Sequence, residues 1–347
     1  MLRNSMKKIL FSVTALFAVV SLVAAGCSDD NDNENVSSAD KPSIVVTTNI
    51  LGDVVSNMVG DSFNVEVIMP PGSDPHDFQA SAQQVEKMMS ADLLVVNGAN
   101  FEEGMLSVIE SAEADGVMVF EAISVVSQLE GSDDHGHDDH EGHDDHDDHK
   151  DHDDHEGHDD HDDHEGHDHG GIDPHFFTDP ARMAVVVEEL SEFLVANFPN
   201  VDQGFVSTAN DYAQELIDLD EEVNEILSEI PQEGKVLVTN HAVFAYFADS
   251  YGFEILGEII PSASTLSSAN AQQLASLADE LSSNSVKAIF ADASASDTLA
   301  RTLAAEVGGI EVITLFTESL GEPGSSGANY IEMVKFNAQA IASGLVG

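Results

Sequence analysis

The sequence predicts an α/β protein of two lobes, each with a mainly parallel sheet, joined by a long backbone helix. Three observations carry this. Short apolar runs rich in Val, Ile and Leu alternate with helix-patterned segments, first over 43–120 and again over 235–343, as parallel sheets with crossover helices require. Between these stretches Phe205 to Ile230 keeps a helical pattern for about 26 residues, roughly 39 Å at 1.5 Å per residue, and Pro231 and Gly234 end it. Finally, residues 133–170 contain no apolar side chain, so they cannot bury surface in either lobe and read as a disordered loop.

The chain opens with a basic segment carrying Arg3, Lys7 and Lys8, followed by an apolar run from Ile9 to Ala25. That succession is the pattern of a secretory signal peptide over 1–26. Its end, Ala24-Ala25-Gly26-Cys27, resembles the lipobox of bacterial lipoproteins, in which the cysteine is lipidated and becomes the new N-terminus. Cys27 is the only cysteine, so no internal disulfide forms. Diacylglycerol on Cys27 would supply the two chains that stable anchoring needs. Residues 27–42 are polar and acidic, a flexible tether that keeps the body outside the cytoplasm, anchored to the membrane or periplasmic.

The body divides into an N-terminal lobe (43–204, containing 133–170), the backbone helix (205–230) and a C-terminal lobe (231–347). In the first lobe strands are expected at Ser43 to Thr48, Asn64 to Met69, Leu93 to Asn97 and Val117 to Phe120. Helices are expected at Ile50 to Val59, Ser81 to Met89, Glu102 to Glu113 and Pro180 to Asn197. Asp179 is the N-cap of the last, with proline at its first position. In the second lobe strands Lys235 to Thr239, Glu254 to Ile260, Ala288 to Phe290 and Glu311 to Leu315 alternate with helices Ala242 to Tyr251, Ala269 to Ser282, Asp297 to Val307 and Ala328 to Ser343.

Charge narrows the partners. From Cys27 onward, without 133–170, there are 46 acids and 7 Lys or Arg, a balance of −39. Nucleic acid and anionic lipid surfaces are therefore excluded as partners.

Histidine is the informative residue. Of 16 in the chain, 13 lie in 133–170, alongside 19 acids. His140, His143, His146, His149, His152, His155, His158, His161, His164 and His167 recur at every third position, a period of neither helix nor strand. Imidazoles mixed with carboxylates suit Zn²⁺, Cu²⁺ and Ni²⁺, so this run is an accessory metal-binding loop. Only His76, His175 and His241 lie outside it. His76 and His241 follow strands, and His175 follows the fourth strand once the loop is set aside. Ligands of α/β lobes collect at such strand ends and in clefts between lobes. Three imidazoles meeting there make a neutral N₃ site that prefers Zn²⁺. A fourth ligand is expected from the second lobe: Glu318, after strand Glu311 to Leu315, with Asp292 or a water as alternatives. Asp74, Asp173 and Asn240, each beside a histidine, are candidates to orient the rings.

Four motifs stand in order along the body: Pro75-His76-Asp77-Phe78; Asp173-Pro174-His175 with Thr178-Asp179-Pro180; Asn240-His241-Ala242-Val243-Phe244 with Tyr251-Gly252; and Leu315-Phe316-Thr317-Glu318-Ser319-Leu320 followed by Tyr330-Ile331-Glu332-Met333. Over 43–347 the chain resembles the substrate-binding lipoproteins of bacterial ABC importers for zinc and manganese. The resemblance implies a monomeric two-lobe receptor with a rigid helical backbone, partnered by a permease and an ATPase. It places His76, His175, His241 and Glu318 on the family's four ligand positions. Glutamate stands where aspartate is common. Histidine at the third position, where many manganese receptors have glutamate, and the histidine-rich loop both favour Zn²⁺, with Mn²⁺ the alternative. A zinc enzyme is not expected, because no His-Glu-x-x-His signature is present. A surface zinc buffer or adhesin is the other alternative. Binding is expected to weaken below about pH 6, where protons take the imidazoles.

Overall fold

Two four-stranded sheets carry the fold, and every strand pair in them is parallel. The computed structural model describes residues 41–131 and 171–346. In the first sheet β1 (Ser43–Val46), β2 (Asn64–Val67), β3 (Leu93–Val96) and β4 (Met118–Glu121) lie in the order β2-β1-β3-β4. In the second, β5 (Val236–His241), β6 (Glu254–Ile260), β7 (Ala288–Asp292) and β8 (Glu311–Leu315) repeat that order as β6-β5-β7-β8. The helices between them are α1 (Asn49–Val59), α2 (Ala82–Met89), α3 (Leu106–Ala114), α4 (Pro180–Asn197), α5 (Phe205–Leu227), α6 (Ala245–Tyr251), α7 (Ala271–Asn284), α8 (Thr298–Val307) and α9 (Tyr330–Val346). Capping follows the sequence. Asp179 accepts from Ala181 and Arg182 N–H at the start of α4, and Ser81 and Asn270 close capping boxes with Gln84 and Gln273.

The apolar runs of the strands are explained by burial on both faces. In β1 and β3, Ile44, Val46, Leu93 and Val95 face a central core, while Val45, Leu94 and Val96 face an outer layer with Met88 and Met105. The second sheet does the same. Leu237 and Phe290 join the central core, and Val238, Ile289 and Ala291 pack on Leu277, Leu281 and Leu303 of α7 and α8.

The central core is continuous through both lobes. Phe205, Ala209, Tyr212, Leu216, Leu219, Val223 and Leu227 recur every three or four residues along α5 and turn one face into it. Helices α1, α4 and α9 pack on α5. Thus α9, the last helix of the C-terminal lobe, also covers the first.

Several ends differ from expectation. Strand β5 runs on through His241, which pairs with Ile260, and α6 starts only at Ala245. Strand β7 likewise continues to Asp292, paired with Leu315. The helix expected from Glu102 starts at Leu106 after a 3₁₀ turn. The cause is the buried Glu102 carboxylate, which accepts from Asn97 N, Gly98 N and Thr47 Oγ1 and folds the loop back, with Ala99 and Asn100 at positive φ. Helix α5 ends at Leu227, three residues early.

The signal peptide, Cys27, the tether as far as Asp40 and the 133–170 run lie outside the described residues. Among the described residues no helix is long and apolar enough to cross a membrane. The flanks of the histidine-rich run are held together. Gly131 N–H donates to Gly171 O at 2.8 Å, Glu130 bridges Ile172, and Asp173 N–H donates to Leu129 O.

A shared core has a measurable consequence. Leu216→Ala, at a fully buried position, should lower stability by about 2–5 kcal/mol in denaturant titration. Its partly exposed neighbour Ile217→Ala should change it by no more than about 0.5 kcal/mol. Both lobes should unfold in one transition, and two separated transitions would contradict a common core.

Candidate metal centre

Two of the three isolated histidines are mounted by one local device. In Asp74-Pro75-His76 and in Asp173-Pro174-His175, the aspartate Oδ1 accepts the backbone N–H of the histidine two residues on, at 2.9 and 2.8 Å. Proline between them restricts the backbone on both sides. The first copy lies in the loop after β2, the second directly after the neck of the histidine-rich run. Asn97 Nδ2 donates to Pro174 O and fixes the second copy to the end of β3. The third histidine, His241, is the last residue of β5.

Glu318 arrives from the loop after β8, which is clamped twice. Asn337 bonds both the N–H and the carbonyl of Phe316. Asn49 of the first lobe bonds Ser319 Oγ at 2.8 Å and Leu320 N–H at 2.7 Å.

The four side chains converge. His241 Nε2 lies 2.8 Å and His175 Nε2 3.1 Å from Glu318 Oε1, and His76 Nε2 is 3.3 Å from Oε2. One ligand atom from each of the four lies within 4.8 Å of the others. All four residues are buried, with 0–2 % exposure. Phe101 packs edge-on against His76 and His175. Three of these inward atoms, His76 Nε2, His175 Nε2 and Glu318 Oε2, have no satisfactory hydrogen bond. A buried polar atom without a partner is costly, and a cation among the four would satisfy all three. Three imidazole nitrogens and one carboxylate oxygen are a tetrahedral donor set of the kind Zn²⁺ takes.

The lobes are tied around this cluster. Tyr246 of α6 donates to Asp173 O at 2.8 Å, and Tyr330 of α9 donates to Phe177 O at 2.7 Å. Thr265 Oγ1 reaches Asp74 Oδ2 at 2.7 Å. Gly72 N–H donates to Ser319 Oγ and Leu320 O.

A family model described as the periplasmic zinc-uptake complex component A matches residues 44–344. The chain belongs to this family. It is the metal receptor of an ABC importer. Among curated relatives, it is 26 % identical over 353 residues to the manganese ABC transporter substrate-binding lipoprotein PsaA of Streptococcus anginosus, covering 98 % of this chain and 99 % of the relative. It is 26 % identical over 341 residues to the manganese-binding lipoprotein MntA of Halalkalibacterium halodurans, with the same coverage. Among solved structures, the periplasmic zinc-binding protein TroA from Treponema pallidum superposes with TM-score 0.71 at 25 % identity, covering 88 % of this chain and 99 % of that one. The Mn-bound periplasmic metal-binding protein from Candidatus Liberibacter asiaticus has TM-score 0.69 at 18 % identity over 88 % of this chain and all of the other, and shares the fold.

The expected ring-orienting residues fall out unevenly in the receptor. Asp173 Oδ1 accepts from His175 Nδ1 as well as from its backbone, at 2.8 Å. Asp74 does not reach the His76 ring, because its Oδ1 is used by the backbone and its Oδ2 by Thr265. The partner of His76 Nδ1 is Glu103, at 3.0 Å. Asn240 does not hold His241, whose Nδ1 has no hydrogen bond, since neighbours in a strand point to opposite faces. Asp292 is buried but stands outside the group of four, with Oδ1 taken by Ser294 N and Oγ. Glu103 was missed because it is an ordinary exposed-looking acid in sequence. Its place in the loop after β3 met the same strand-end criterion that found the histidines.

Burial opposes charge on His76, His175 and Glu318, and pairing overrides it. Burial lowers the His76 imidazole, but its bond to Glu103 and the adjacent Glu318 carboxylate raise it to about 10. For His175 burial is outweighed by the charges of Asp173 and Glu318, and the ring rises to about 9. Burial pushes Glu318 up, yet His175 and His241 hold it well below the usual carboxylate range. Asp292 is pushed up to about 6 by burial and then by Glu318.

These shifts move the expected pH dependence upward from pH 6. Both imidazoles titrate above 6.5, so across neutral pH a proton must leave each before a cation takes its Nε2. Metal affinity should therefore rise with pH until about 9–10, and binding at pH 7.5 should release about two protons. Calorimetry in buffers of different ionisation enthalpy reads this directly. An affinity unchanged between pH 6 and pH 8 would exclude His76 and His175 as ligands.

Proposed function

We propose that this receptor captures Zn²⁺ between its lobes through His76, His175, His241 and Glu318, and delivers it to a membrane permease driven by an ATPase. The observation that carries the reading is the convergence of three imidazole nitrogens and one carboxylate oxygen within 4.8 Å, all buried. The four donors are neutral but for one carboxylate, and the charge a dication leaves on them is met by the Glu103 and Asp173 carboxylates on the outer nitrogens of two rings. Imidazole-rich tetrahedral sites suit zinc, whereas Mn²⁺ prefers more oxygen ligands and a higher coordination number. Family membership also supports zinc. The second reading is manganese, the cargo named for several relatives at 26–27 % identity.

Delivery has a natural sequence of steps for these residues. Glu318 supplies the charge that attracts the ion, and the histidines exchange their protons for it. Asp173 and Glu103 hold the Nδ1 atoms outward, so that both rings present Nε2. Release requires the permease to loosen contacts that tie the ligand loops across the lobes, among them Asn49–Ser319, Thr265–Asp74 and Tyr246–Asp173.

The remaining parts follow from the sequence. Residues 1–26 are the export signal, and Cys27 carries the lipid that holds the receptor outside the membrane. Residues 27–42 are the tether, and 43–204 and 231–347 are the lobes on either side of the 205–230 helix. Anchoring beside the permease raises the effective concentration of loaded receptor. The 133–170 run gathers zinc near the cleft, since its neck ends at Asp173, two residues from His175. The receptor acts as a monomer and performs no catalysis, because the fourth position that a catalytic zinc leaves open is filled by Glu318.

Competition titration of the soluble form from Ser28, with and without residues 133–170, tests this against both metals. One tight site preferring Zn²⁺ over Mn²⁺ should survive removal of the run. His175→Ala should weaken that site by at least about 100-fold. Preference for Mn²⁺ would establish the second reading. Loss of all tight binding with the run would mean that the cleft is not the metal site.

A further inference from the structure

His76 and His175 share an arrangement that His241 has only in part. Each turns Nε2 toward Glu318 and gives Nδ1 to a carboxylate, Glu103 at 3.0 Å and Asp173 at 2.8 Å. His241 turns Nε2 toward Glu318 in the same way, at 2.8 Å. Its Nδ1 is buried and has no hydrogen-bond partner.

The complementary group stands one strand away. Strands β5 and β7 are parallel neighbours, in register at Thr239 and Phe290. Carried two residues onward, that register sets His241 beside Asp292, at the C-terminal ends of both strands. In-register side chains on parallel neighbours leave the same face of the sheet, on strands about 4.8 Å apart. Asp292 is 4 % exposed. Its Oδ1 accepts from Ser294 N at 2.6 Å and from Ser294 Oγ at 2.9 Å, which fixes the carboxyl group, while Oδ2 is buried without a partner. On the other flank of His241 the residue in register is Ile260, which offers no acceptor, and Glu258 stands two residues before it, level with Thr239. His241 Nδ1 and Asp292 Oδ2, both buried and both without a partner, thus belong to side chains at the same level of adjacent strands.

We propose that Asp292 is the positioning residue for His241: with a cation on Nε2, the Nδ1–H of His241 is donated to Asp292 Oδ2. All three histidines would then bind through Nε2 with a carboxylate behind each ring. Glu318 would remain the one carboxylate in contact with the ion. The inference rests on the reading of His241 as a ligand. Its physical basis is that metal coordination drains electron density from the ring and strengthens the outward N–H as a donor. A carboxylate there fixes the tautomer and raises ligand basicity. It also gives Asp292 a role in the site without making it a ligand.

A double-mutant cycle on the whole receptor separates the possibilities. Zn²⁺ affinity is measured by chelator competition for wild type, Asp292→Ala, Asp292→Asn, His241→Ala and the double alanine variant, with the absorption spectrum of the Co²⁺-loaded forms recorded in parallel. Asp292→Ala should weaken Zn²⁺ binding by about 10- to 100-fold and shift the Co²⁺ spectrum. Asp292→Asn, which keeps an oxygen acceptor in a side chain of the same shape, should recover most of that loss. In the His241→Ala background, Asp292→Ala should cost nothing further. An equal cost in both backgrounds would overturn the inference and make Asp292 either a direct ligand or a general support of the fold. Affinity within about twofold of wild type for Asp292→Ala, with His241→Ala still damaging, would overturn the inference alone. An undamaged His241→Ala variant would overturn the ligand reading and the inference together.

Discussion

A carboxylate without access to water needs compensating partners, and at the centre of the ligand cluster that carboxylate is Glu318. Burying it alone would cost far more than its packing returns. Three imidazoles surround it, two from the first lobe and one from the second. The compensation is incomplete, since His76 Nε2, His175 Nε2 and Glu318 Oε2 are buried without a hydrogen bond. The site is therefore matched to a species that accepts electron pairs from four directions, which is a metal cation. Protons on the imidazoles are the natural stand-in, so uptake of metal and release of protons are one exchange.

The scaffold around this charge is stiff where the ligands attach. His241 ends a strand, and His76 and His175 each sit two residues after an aspartate that binds their backbone, with proline between. The loop of Glu318 is bonded from both lobes by Asn49 and Asn337. Below the site a single apolar core runs from Ile44 to Leu345, with α5 as its spine and α9 folded back across the first lobe. Wide opening of the lobes would expose that shared core. Local movement of the ligand loops costs only a few hydrogen bonds each, so capture and release are expected to be local. The strong net negative charge, −54 over the chain, draws dications toward the cleft, though salt limits its reach to about a Debye length.

Much of this is legible in the sequence. The strand–helix alternation, the α5 spine, the Asp179 cap and the three converging histidines follow from periodicity, proline placement and the scarcity of histidine outside one run, and Glu318 was one of two acids expected at a strand end. What failed did so for tertiary reasons. The end of β5 is drawn through His241 by pairing with β6, which no local propensity encodes. The delayed start of α3 comes from Glu102, whose carboxylate prefers the backbone N–H groups of Asn97 and Gly98 to a helical position. Asp74 looked like a ring partner for His76 but is spent on its backbone and on Thr265, leaving the ring to Glu103.

By itself, then, the sequence determined the two-lobe α/β architecture and the candidate ligands, because these depend on residue type and spacing along one chain. Only the tertiary structure decided which carboxylates stand behind the His76 and His175 rings, and that one core serves both lobes. Those are facts about segments far apart in sequence, whose approach is fixed by sheet register and by the packing of α5 and α9.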